Sequence, residues 1–140
     1  MITELATRRP SADAYLTERE MLQHRPAGTI LFNEGDLPRG IYLIHSGTVE
    51  LLMRARNGDL KRMRTTSAGD ILGLESVVAL RPNDATARTI TPCDLGFIER
   101  ESFLRVLDES PAIWFSVLRL LSQGVNASYD SLRHVAQARA

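Results

Sequence analysis

The sequence predicts a mainly β protein, a sandwich or barrel of short strands followed by helices. Three observations carry this. Between Gly28 and Glu99, short β-branched or aromatic runs alternate with glycine-containing turns, the texture of antiparallel strands in a sandwich or barrel. After residue 100 the apolar period becomes helical, with residues three and four apart on one face. The chain has 140 residues, 44% hydrophobic and 24% charged, which suits one domain around one core.

Residues 1–26, with mixed charge and prolines at Pro10 and Pro26, read as an N-terminal arm holding one short helix, from Ser11 through Tyr15, Leu16, Met21 and Leu22. Residues 27–110 read as the barrel. Its strand candidates are Thr29–Phe32, Ile41–Ile44, Thr48–Met53, Leu60–Thr65, Ile71–Leu72, Thr86–Thr91 and Asp94–Ile98. Gly35, Gly47 and Gly69 punctuate them as turns, and Asn57-Gly58 is a hairpin signal in which both central residues tolerate positive φ. Glu101–Leu107 is a short helix with Phe103, Leu104 and Leu107 on one face. Ser110 caps and Pro111 opens a longer helix over residues 111–140. In it Trp114, Leu118, Leu121, Val125, Ser128, Leu132 and Val135 fall at alternating steps of four and three, a coiled-coil seam of about three heptads. The seam points to a partner helix, most simply a second copy, so a homodimer. A helix packed back on its own barrel is the alternative, because Gly124 and Ser128 interrupt the apolar surface.

Composition excludes several classes. Seventeen basic and seventeen acidic residues leave zero net charge, which argues against an electrostatic grip on nucleic acid or an anionic membrane. No apolar run spans a bilayer and the N-terminus lacks a secretory pattern, so the expectation is a cytoplasmic protein away from membranes. Cys93 is the single cysteine, which allows no internal disulfide and no cysteine-built metal site. His24, His45 and His134 have no ligand spacing, so no metal is expected. Ser46, Ser67 and Ser76 lack a nucleophile-elbow context and no carboxylate pair stands out as an acid/base couple. No catalytic residue is assigned and the reading is not an enzyme. Arg54, Arg56, Lys61, Arg62 and Arg64 surround the Asn57-Gly58 turn. Without interleaved aromatics, they read as a solvated hairpin that keeps an edge strand from aggregating.

The order Gly28-Thr-Ile-Leu-Phe32, Gly35-Asp36, Ile41-Tyr-Leu-Ile44, Gly47-Thr-Val49, Gly69-Asp-Ile-Leu-Gly73 and Thr91-Pro-Cys-Asp-Leu95 resembles a cyclic-nucleotide-binding domain, over about residues 27 to 137. It is most similar to the sensory half of bacterial Crp/Fnr-type transcription regulators. The resemblance implies a double-stranded β-helix (jelly roll) flanked by helices, with the final helix serving dimerisation. It places a phosphate-binding cassette between Gly69 and Arg88, where a Gly-Glu pair opens the site and an arginine followed by a small residue closes it. A cyclic phosphate needs such an arginine and backbone N–H donors, and the ribose hydroxyl needs a carboxylate.

Here the cassette departs from the family at both ends. Leu74 separates Gly73 from Glu75, Asn83 stands where the arginine is expected, and Asp84 replaces the small residue. Each lost charge-assisted hydrogen bond costs roughly 1.5–3 kcal/mol. A carboxylate about 5 Å from a phosphate adds on the order of 3 kcal/mol of repulsion at an effective dielectric of about 20. Cyclic AMP or cyclic GMP binding is therefore expected to be weak or absent, with no other cofactor indicated. Arg81 could swing inward, and Arg88 could contribute or pair with Asp84. Surface solvation is the plainer reading of both. Any ligand is expected at Gly73, Leu74, Glu75, Asn83, Asp84 and Ala85, with Ser128 or Asn126 closing the pocket.

The reading is a regulatory sensor module that takes a small-molecule effector and pairs through its long helix, with no DNA binding by this chain alone, since the resemblance ends before a helix-turn-helix domain. The alternatives are a ligand-free interaction protein that pairs with itself or a full-length regulator, and a sensory fragment of a longer regulator.

Overall fold

Apolar strand runs separated by glycine turns fold into two facing sheets in the structure, a computed structural model that describes residues 19–122. The elements are β1 (Met21–Arg25), β2 (Ile30–Phe32), β3 (Gly40–Ser46), β4 (Val49–Arg54), β5 (Leu60–Thr66), β6 (Ile71–Leu72), α1 (Leu74–Ala79), β7 (Thr86–Thr89), β8 (Cys93–Glu99), α2 (Arg100–Glu109) and α3 (Pro111–Ser122). One sheet runs β1-β8-β3-β6 and the other β2-β7-β4-β5. Every pairing is antiparallel.

Strand β3 shows why the layers stack as they do. Its central residues Ile41–Ile44 form an uninterrupted apolar run, as expected of a strand covered on both faces. Successive side chains point to opposite faces. Ile41 and Leu43 pack with Phe103, Val106, Leu107, Ile113 and Val117 of the helices. Ile44, with Tyr42 beside it, packs between the sheets with Val49, Leu72, Ala87, Cys93 and Leu95. Each fully buried Leu, Ile or Phe side chain contributes about 1.5–3 kcal/mol, an upper figure because the unfolded chain also buries apolar surface. Tyr42 lies between Phe97, 4.9 Å away by ring centroids, and Phe32, 6.2 Å away.

Several expectations change. Met21 and Leu22, placed in an arm and its helix, stand instead in β1, which pairs with β8 through Met21–Phe97 and Arg25–Cys93. The run Met21–Arg25 alternates weakly because most of it is exposed; backbone pairing rather than burial defines the strand. The β4–β5 turn is not a two-residue turn. Ala55 N–H donates to Asp59 O and Gly58 N–H to Ala55 O, and Gly58 alone has positive φ there. This is the three-residue hairpin loop closed by a left-handed glycine. The arginine-rich hairpin is only partly solvated, because Arg64 lies half-buried.

Helix α3 turns Ile113 and Val117 fully inward, whereas Trp114 and Leu118 are 38% and 41% exposed. Leu121 departs from that outward seam and packs against the helix-side core. Val125, Ser128, Leu132, Val135, Asn126, His134 and the rest of the helix to residue 140 lie outside the described residues, as do residues 1–18. Among the described residues no helix is long and apolar enough to cross a membrane.

At Gly47, φ is +97°, and an added Cβ would lie 2.5 Å from Pro92 O and 2.6 Å from Cys93 Sγ. At Gly58 φ is +91° with nothing near. Gly47→Ala should therefore cost at least about 3 kcal/mol, backbone strain and overpacking together, and Gly58→Ala only about 1 kcal/mol. Urea denaturation of the two variants checks this, and equal costs would contradict the close approach at Gly47.

Candidate functional site

The region after β6 builds the site. Gly73 takes φ 85° and starts α1, and Leu80 ends it in the left-handed conformation. Leu80 is the only non-glycine residue with positive φ among those described, a conformation costing about 1–2 kcal/mol. The two sharp turns bracket the six residues of α1. Beside its first turn lies a cavity of about 150 Å³. Its apolar walls are Phe32, Leu51, Ile71, Leu72 and Leu121; Gly73, Leu74, Glu75, Ser76, Asn83, Asp84, Ala85 and Arg64 complete the lining.

Six of the expected ligand residues are thus brought together, namely Gly73, Leu74, Glu75, Asn83, Asp84 and Ala85. Leu121, expected in the dimer seam, joins them from α3. Asn83 is buried and serves the loop. Its carbonyl accepts from Gly35 N–H at 2.8 Å, and its own N–H donates to Asp36 O at 2.9 Å. Its side-chain amide donates to Asn33 O at 3.4 Å.

Arg81 and Arg88 do not line the cavity. Arg81 binds Glu75 and reaches Asp84 at 3.7 Å, so the acid expected to repel a phosphate has a counter-charge. The suggested Asp84–Arg88 pair does not form. Arg88 lies opposite Glu50 in the β4–β7 register and donates to it at 2.8 Å. Ala87 and Leu51 point into the barrel, so their neighbours Arg88 and Glu50 take the outer face. Arg62 also donates to Glu50, at 3.0 Å. The Arg88 hydrogen bond, more than that of Arg62, holds the Glu50 carboxyl below the usual carboxylate range despite its burial.

Arg64 is the functional candidate that sequence reasoning missed. It lies opposite Leu51, whose side chain packs inside the barrel, and so shares that face. Burial pushes the Arg64 guanidinium down from its usual value, partly offset by Asp70. The strand period pointed the wrong way, since Arg62 and Arg64 have like parity and would share a face, but the bulge between the Leu51 and Leu52 pairs sends them to opposite faces.

The histidines are nearer than their spacing implied. Strand order β1-β8-β3 puts His24 Nδ1 2.7 Å from Asp94 and His45 beside Glu20. Ser46 donates to Asp94 at 3.0 Å; His24 first, then Ser46, lowers the Asp94 carboxyl. No group of three or more His, Cys, Asp or Glu side chains that could hold a metal ion occurs among the described residues.

Comparison with known proteins places this geometry. The profile of the cyclic nucleotide-binding domain matches residues 22–110. The CRP-like cAMP-activated global transcriptional regulator of Mycobacterium tuberculosis is 28% identical over 123 residues, covering 88% of this chain and 55% of the regulator. The chain thus spans about half the length of that relative. The Thermus thermophilus catabolite activator protein superposes with a TM-score of 0.75 at 23% identity, over 84% of this chain and 55% of its own. The sensor domain of the transcriptional regulator DNR from Pseudomonas aeruginosa gives 0.70 at 22%, over 80% and 75%.

The depressed Glu50 carboxyl has a definite sign. A carboxyl whose folded-state value is lowered contributes stability above its unfolded value and loses it as pH falls through the folded one. Both arginines are partly exposed, so Glu50→Gln should cost about 1–2 kcal/mol at neutral pH. That gap should narrow below the usual carboxylate range; a gap constant from pH 7 to pH 3 in urea titrations would contradict the pairing.

Proposed function

Because the chain belongs to the cyclic nucleotide-binding domain family, as a Crp/Fnr-like sensor domain, we propose that it is a regulatory module whose cavity takes a small effector other than cyclic AMP or cyclic GMP. The observation that carries this is the lining of the cavity, in which the cassette contributes no arginine. Asn83 is consumed by loop contacts, Arg81 is held by Glu75 and Asp84, and Arg88 is held on the outer face by Glu50. A volume of about 150 Å³ is half the lower end of the roughly 300–1,000 Å³ usual for drug-sized ligands. The mycobacterial relative is cAMP-activated; the cassette here argues against carrying that ligand over.

The output is α3. Leu121 stands both in the cavity wall and against the helix-side core, so an occupant bears directly on the helix. Trp114 and Leu118, 38% and 41% exposed on the adjoining face of the helix, pair with a second copy, and the seam spacing carries that contact on to Val125, Leu132 and Val135. The module performs no catalysis, and with zero net charge this chain alone has no electrostatic grip on DNA. A ligand-free dimerisation protein is the second reading, favoured by the exposed Trp114, Phe115 and Leu118.

Thermal melting with cyclic AMP or cyclic GMP at about 1 mM should leave the midpoint unchanged, whereas a ligand present at a hundredfold excess over its Kd adds about 2.7 kcal/mol. A shift corresponding to micromolar affinity would overturn the reading. In sedimentation, Leu118→Asp should convert a dimer to monomer with little loss of melting midpoint. A wild-type monomer, or a variant still dimeric, would remove α3 from the interface.

A further inference from the structure

We propose that the cavity holds a small organic monoanion, a carboxylate with a short apolar tail, and that Arg64 on β5 is its anchor. This rests on reading the cavity as the sensor pocket and names the chemistry of what enters it. Arg64 is the one basic residue in the lining among the described residues. Its neighbour Arg62, two positions away, is tied to Glu50 outside the barrel. The Arg64 guanidinium has no hydrogen bond or ion pair among the described residues. Asp70 is the charge that acts on it. A half-buried guanidinium stripped of part of its water, with no hydrogen bond from the described residues and only the more distant charge of Asp70 to offset it, is a site for an anion. Its planar fork of N–H donors matches a carboxylate in two parallel bonds.

The surroundings select among anions. Glu75 and Asp84 stand in the lining and share Arg81, so a second negative charge on the ligand meets repulsion. A monoanion is therefore favoured over a phosphate dianion. Phe32, Leu51, Leu72 and Leu121 offer an apolar floor for the tail. The volume of about 150 Å³ suits a ligand whose enclosed part is a few heavy atoms.

Butyrate is the probe, with butyramide as its uncharged isostere and inorganic phosphate as the dianion. Titration of the full chain, read on the Arg64 Nε–H resonance and on the melting midpoint, should show saturable millimolar butyrate binding. Butyramide and phosphate should bind at least tenfold more weakly. Arg64→Met should weaken butyrate at least tenfold while keeping the ligand-free midpoint, and Arg64→Lys should keep part of the affinity if the methionine variant fails to fold. Equal binding of butyramide, unchanged butyrate affinity in Arg64→Met, or no butyrate response in the wild type would overturn the proposal. Cyclic AMP in the same samples separates the two levels. Micromolar cyclic AMP binding retained by Arg64→Met would overturn the exclusion of nucleotides, while the butyrate arm judges Arg64 on its own.

Discussion

Burial of β3 on both faces is the constraint on which the rest of the structure depends. Ile41 and Leu43 seat the helices, and Ile44 and Tyr42 close the barrel against the other sheet. From Gly40 to Ile44 the strand presents no exposed residue to solvent. Moving a helix therefore disturbs the same backbone that shapes the barrel interior. Close-packed interiors resist gradual deformation and favour discrete rearrangement. The cavity touches both packed clusters. Ile71 belongs to the helix-side cluster and Leu72 to the barrel cluster, and both line it. Leu121 adds α3 to the same wall.

Strand alternation, more than the number of arginines, decides which charge the cavity sees. Glu50, Arg62 and Arg88 form a triad on the outer face, where paired charges stabilise the sheet without touching a ligand. Arg81 is spent across Glu75 and Asp84. Only Arg64 comes from β5 into the cavity. Asn83 lines the cavity without a cassette arginine beside it, and Arg64 of β5 is the basic residue of the lining among the described residues.

Much of the architecture was legible because it rests on local chemistry. Seven strands were readable from apolar runs between turn residues, and the family resemblance named Gly73, Leu74, Glu75, Asn83, Asp84 and Ala85, which the fold gathers around one cavity. What escaped had non-local causes. Strand β1 is defined by pairing with β8, and its exposed side chains carry no period. The side to which Arg64 points is set by a bulge that no propensity marks. The partners of Arg81 and Arg88 follow from which strands lie side by side, and so does the approach of His24 to Asp94 across β1 and β8. Leu121 fits the seam by spacing, yet its angular position at the edge of the apolar stripe lets the core claim it.

Trp114, the chain's single tryptophan, lies on α3, seven residues before Leu121, and reports on the helix from its outer face. Its emission during a butyrate titration tests most directly whether the cavity and the helix are coupled. A saturable emission change with the same midpoint as the Arg64 resonance, lost in Leu121→Ala while butyrate still binds, is the expected result. Butyrate saturating Arg64 with Trp114 emission unchanged would contradict the coupling and leave a pocket with no line to the helix.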